Sequence, residues 1–102
     1  MAGFVQIIEY KTSRPEEVSE LTEQYRKSRQ AGAEGPTPTR AITGADRDRP
    51  GRYFAIVEFE SHDAAMENSA RSDTSEFAAK MMEFCDGRPT FRNLDITQSM
   101  KY

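Results

Sequence analysis

The densest apolar segment of the chain, Tyr53 to Glu60 (YFAIVEFE), carries apolar side chains on both sides of an extended strand. Tyr53, Ala55, Val57 and Phe59 share one side, and Phe54 and Ile56 share the other until Glu58 interrupts it. A strand with solvent behind it alternates apolar and polar residues, because successive side chains point to opposite faces. This strand predicts a sheet covered on both faces, in a chain whose helices suffice for one. The expected second cover is another copy of the chain.

The remaining pattern alternates between strand-like and helix-like spacing. Phe4 to Lys11 predicts a first strand, with Phe4, Ile8 and Tyr10 on one side and Val5 and Ile7 on the other. A helix follows, with Ser13 as the expected cap, Pro15 in the first turn, and Glu16 and Glu17 at the positive end of the dipole. Val18, Leu21 and Tyr25 recur at helical spacing, and the helix fades between Arg29 and Gly32. Ala31 to Pro38, with two glycines and two prolines, predicts a loop. Thr39 to Gly44 predicts a weak edge strand, since only Ala41 and Ile42 are apolar, and Pro50-Gly51 reverses the chain into the third strand.

Ser61 predicts the N-cap of a second helix, which the polar run Ser72 to Ser75 interrupts. Asp73 with Glu76 three residues on has the form of a second capping signal. Phe77, Met81 and Phe84, with Ala78, Met82 and Cys85 beside them, form an apolar stripe that ends at Asp86-Gly87. Thr90 to Gln98 predicts the fourth strand, with Phe91, Leu94 and Ile96 as its apolar residues. The order β-α-β-β-α-β is the ferredoxin-like pattern, an α+β class in which strands one and three lie in the middle of a four-stranded antiparallel sheet. The whole chain, residues 1–102, is expected to form one such domain.

Composition narrows the function classes. Charged residues make up 30% and hydrophobic residues 36%, yet ten aromatic residues (six Phe, four Tyr) set the chain apart from disordered sequences. A net charge of -3 offers no basic field to nucleic acid or to an anionic membrane. One cysteine, Cys85, permits no intramolecular disulfide, and the N-terminal residues lack the pattern of a signal peptide, so a reducing cytoplasm is expected. His62 is the only histidine, which leaves no Ser-His-Asp triad and no multi-histidine metal site within one chain; no metal or cofactor is expected.

Ile56-Val57-Glu58-Phe59-Glu60-Ser61, Ala64-Ala65, Asn68-Ser69 and Glu76-Phe77 are the residues in which the chain resembles a known family. It resembles the dimeric α+β barrel superfamily, and within it the antibiotic biosynthesis monooxygenase-like domains. The resemblance implies a homodimer formed through the sheet faces, with a pocket between the sheet and helices of each subunit. Some members of the family oxidise polycyclic aromatic molecules without metal or flavin, some degrade haem, and others isomerise small molecules. The haem-degrading members carry an axial histidine in the second helix, where this chain reads Met66-Glu67-Asn68-Ser69. The oxygenases place a tryptophan in the pocket, and this chain has no tryptophan.

Candidate chemistry rests on few residues. Glu58 is a carboxylate on a central strand, suited to proton transfer if partly desolvated, or else a strand-end partner for Arg40, Arg52 or Arg92. Asn68 either orients a substrate or is a surface helix residue. Tyr53, like Tyr10 and Tyr25, offers a phenolic donor beside Phe54, Phe77, Met81 and Phe84, a set that equally describes an ordinary core. Glu58, Asn68 and Tyr53 are thus the expected catalytic set, and Phe54, Phe77, Met81, Phe84 and Tyr25 the expected substrate-binding set. Two functions follow: a cofactor-independent monooxygenase acting on a hydrophobic or aromatic small molecule, or a non-catalytic ligand-binding or stress-related dimer. A cavity above roughly 300 Å³ with convergent polar groups favours the first, and a packed interior the second.

Overall fold

A computed structural model describes residues 3–30 and 37–102. Seven elements follow in the order β1 (Phe4–Lys11), α1 (Pro15–Gln30), β2 (Arg40–Ala45), β3 (Arg52–Phe59), α2 (His62–Ser69), α3 (Ser72–Phe84) and β4 (Thr90–Asp95). The strands form one antiparallel sheet in the order β2-β3-β1-β4, so β1 and β3 are central and β2 and β4 are edges. This is the expected ferredoxin-like α+β arrangement. Most of the predicted loop, residues 31–36 of Ala31 to Pro38, lies outside the described residues.

Register decides which side chains share a face. Phe4 pairs with Phe59, Gln6 with Val57, Ile8 with Ala55 and Tyr10 with Tyr53, and this set faces the helices. Val5, Ile7, Phe54 and Ile56 face the other way, joined by Ile42 from β2 and Leu94 from β4. On the helix side Phe4, Phe59 and Ala65 of α2 form a small buried cluster with Val57 packed against it. Among the described residues no helix covers the opposite face, and Ile42 and Leu94 there are 43% and 45% exposed.

Ser61 caps α2 as predicted, its hydroxyl accepting from the Ala64 amide at 3.0 Å. Ahead of α1 the bond is made by Thr12 rather than Ser13: the Thr12 hydroxyl accepts from the Arg14 amide at 2.9 Å and donates to the Phe84 carbonyl. That second bond ties the end of β1 to the end of α3, which the local sequence around Ser13 does not reveal. Asp73 does not cap α3. The N-cap is Arg71 and makes no side-chain capping bond, while Asp73 sits in the first turn and binds the Arg71 guanidinium at 3.1 Å. Of the predicted stripe on α3, Phe77, Met81, Phe84 and Cys85 are half-buried, whereas Ala78 and Met82 point outward. Gly51, at φ 89° in the β2–β3 turn, holds a left-handed conformation that suits glycine, and its carbonyl accepts from Thr12 N at 3.0 Å.

Candidate functional site

A cleft of about 370 Å³ opens on the helix side of the sheet, between α1 and the strands β2 and β3. Val18, Ser19, Thr22 and Glu23 come from α1, Thr43, Gly44 and Ala45 from β2, and Tyr10 and Tyr53 from the central strands. Thr12 and Pro15 close the end. The cleft exists because β2 is weak. Thr43 and Ala45, opposite Ala55 and Tyr53 in the ladder, lie on the α1 side and are too small to fill the space beneath that helix.

Tyr10 and Tyr53, directly opposite in the ladder, stack with ring centroids 5.6 Å apart and planes 19° apart, forming an aromatic wall. Tyr10 is 5% exposed, and its hydroxyl bonds to no other described residue. The hydroxyls of Tyr53, Ser19 and Thr43 likewise have no bond to the described protein, whereas Thr12 is engaged at Phe84 and Thr22 donates to the Val18 carbonyl at 2.9 Å. Four hydroxyls that can donate or accept are thus left to whatever occupies the cleft. Burial, and then Cys85 and Tyr53 close by, push the Tyr10 phenol above its ordinary value of 10.0, so it is a proton-bearing donor at neutral pH.

Tyr53 is the one residue of the expected catalytic and binding sets that lines this cleft. Glu58 is on the opposite, helix-free face, across the ladder from Arg40 and Val5, and forms no ion pair among the described residues. Arg52, one of its expected partners, is taken by Glu9 at 2.9 Å. Phe54 shares that helix-free face.

Asn68 is neither a surface residue nor part of the cleft: it is 7% exposed, and its side-chain oxygen accepts from the Arg29 guanidinium at 2.8 Å. The same guanidinium meets Asp73 at 3.4 Å and lies 5.9 Å from the Tyr25 ring. Tyr25 stacks on Phe77 at 4.5 Å and shares a 2.7 Å hydrogen bond with Thr74. Asn68, Tyr25 and Phe77 therefore join α1 to α2 and α3, a structural junction built around a buried cation. Phe84 lies under the Arg14 guanidinium at 4.7 Å, and Met81 is half-buried on the same helix. Beyond Tyr53, the sequence offers Tyr10 only as a possible donor and does not single out the other lining residues as site candidates, Ser19, Thr43 and Ala45 among them. The available signal was the poverty of large side chains in β2.

Among the described residues no group of three or more His, Cys, Asp and Glu side chains is arranged to hold a metal ion, and no helix is long and apolar enough to cross a membrane.

No family model and no curated protein matches the chain. Solved structures do. SnoaB, a cofactor-independent oxygenase from Streptomyces nogalater solved as an asparagine-to-alanine mutant, superposes with a TM-score of 0.78 over 98% of both chains at 16% identity. A candidate antibiotic biosynthesis monooxygenase from Caulobacter crescentus gives 0.78 at 15% identity, covering 95% of this chain and 92% of its own. A third, a candidate of the same kind from Bordetella bronchiseptica, gives 0.76 at 17% identity over 99% and 100%. The chain has the fold of the antibiotic biosynthesis monooxygenase-like structures. At these identities the likeness concerns the fold.

Proposed function

We propose that this chain is a monooxygenase-like protein that takes a hydrophobic, aromatic small molecule into the cleft between α1 and strands β2 and β3, without a bound cofactor. The observation that carries the reading is the cleft: about 370 Å³, walled by two stacked tyrosines and lined by four hydroxyls without protein partners. A volume of this size with convergent polar groups fits a small-molecule site better than a packed interior does. The fold shared with SnoaB, a cofactor-independent oxygenase, supports the same class.

The groups present suit one part of such chemistry. Tyr10, held protonated by burial, donates a hydrogen bond to a carbonyl or hydroxyl oxygen of the ligand, and Tyr53 stacks against its ring. Glu58 and Asn68 have no part in this reading, because neither reaches the cleft.

The reading includes a homodimer in the cytoplasm. Val5, Ile7, Ile42, Phe54, Ile56 and Leu94 form an apolar field on the helix-free face, and a second copy supplies a matching surface. Light scattering on the eluting protein is expected to give twice the 11.6 kDa monomer mass, and a monomer at micromolar concentration contradicts the dimer.

The cleft itself is tested by filling it. Ala45→Trp places an indole where Ala45 faces α1, and it is expected to weaken binding of an aromatic ligand by at least about tenfold while leaving thermal stability within about 1 kcal/mol. Unchanged binding in that variant removes the cleft from the function.

A further inference from the structure

The one charged side chain in the described lining of the cleft is a carboxylate. Among its described lining residues there is no Lys, Arg or His, and the single carboxylate is Glu23 at the rim. Outside the rim the cleft continues into a shallow surface of α1 lined by Pro15, Glu16, Ser19, Glu20 and Glu23, which shares Pro15, Ser19 and Glu23 with it. Glu16, Glu20 and Glu23 recur at helical spacing, so the three carboxylates border one approach. Arg26 bonds Glu23, both side chains being about half-exposed, while Glu16 and Glu20 form no ion pair among the described residues. The hydrogen bond from Arg26 keeps Glu23 below the usual carboxylate range, so it is anionic at neutral pH.

Inside, the observation that points to a ligand is Tyr10, more than nine-tenths buried, lining the cleft and bonded to no other described residue. Its hydroxyl and those of Tyr53, Ser19 and Thr43 solvate a neutral polar group well. They offer nothing that neutralises a carboxylate or a phosphate, and an anion drawn from water into a site without a counter-charge loses more hydration than hydroxyls return.

We infer that the cleft selects its ligand by charge: it admits a neutral aromatic molecule bearing hydroxyl or carbonyl groups, or one with an amine directed to Glu23, and it refuses aromatic carboxylates and phosphates. Glu23 is the specificity-determining residue at the mouth. This rests on the cleft being the ligand site, as proposed above.

Three probes of nearly equal size separate the charge from the ring: 2-naphthalenemethanol, 2-naphthylmethylamine and 2-naphthoate, titrated with the full chain at neutral pH and followed by naphthalene fluorescence anisotropy. The alcohol and the amine are expected to bind, with naphthoate weaker than the alcohol by at least about tenfold. Glu23→Gln lowers the amine-to-alcohol affinity ratio by about threefold, the scale of an exposed ion pair, and Glu23→Lys lowers it further and narrows the gap to naphthoate. Naphthoate binding as tightly as the alcohol overturns charge selection while leaving the cleft as the site. An amine-to-alcohol ratio unmoved by Glu23→Lys removes Glu23 from the selection. If none of the three probes binds, the cleft reading fails and this inference fails with it.

Discussion

On the helix-covered face Phe4 and Phe59 are enclosed at 2% and 4% exposure, whereas one step along the same strands Val5 and Glu58 look out from a face that no described helix covers. The two faces draw on the same four strands and both carry apolar residues at their centres, yet they meet different surroundings. The covered face divides again, into a packed cluster under α2 and an unfilled cleft under α1. Hydrophobicity alone therefore does not assign a role to a residue in this fold. What assigns it is the layer the pleat turns it toward and the bulk of the neighbour across the ladder.

Truncation of the covered cluster is expected to have the largest effect. Phe59→Ala removes a ring packed on Phe4 and Ala65 and is expected to cost about 3–5 kcal/mol in urea unfolding. A loss below about 1 kcal/mol means that the cluster is not the core. On the other face, Ile56→Asp puts a charge in the middle of the apolar field. It is expected to raise the dimer dissociation constant by at least about a hundredfold, read by analytical ultracentrifugation, with the far-ultraviolet circular dichroism of the monomer retained. A dimer of undiminished strength places the interface elsewhere.

Smaller again is the contrast within the titrating groups of the covered face. Burial and the neighbours Cys85 and Tyr53 raise Tyr10, and burial with Asp86 raises Cys85 above its ordinary 9.0. Both groups hold their protons more tightly in the folded chain than in the unfolded one. Their contribution to stability is thus complete below the unfolded values and is lost as the pH rises through the raised ones. Thermal unfolding from neutral to strongly alkaline pH is expected to show this decline, and Tyr10→Phe is expected to make it shallower. Superimposable alkaline limbs for the two proteins contradict the burial of Tyr10.

How far the sequence reveals this molecule follows the range of the interactions involved. The double apolar face of Tyr53 to Glu60 and the β-α-β-β-α-β order reveal the sheet order and the uncovered face, because both are written in local periodicity. The Ser61 cap was legible for the same reason. Thr12 was not, since its partner Phe84 is 72 residues away. The site was the least legible part. Glu58, Tyr25 and Phe77 stand out by residue type, yet Glu58 faces away from the cleft and the two rings stack at a helix junction. Asn68 stood out as well, but its role depends on Arg29, 39 residues earlier and on another helix. The cleft depends instead on side chains that are small, Thr43 and Ala45, and a cavity is recorded in a sequence only as bulk that is absent.

The division of labour between the faces is tested most directly on one sample with labelled Ile, Leu and Val methyl groups, studied by NMR first under titration with 2-naphthalenemethanol and then under dilution. The account predicts that the Val18 methyls in the cleft move on titration, while those of Ile7, Ile42, Ile56 and Leu94 move on dilution. Ligand shifts centred on Ile7 and Ile56, with Val18 unmoved, contradict it.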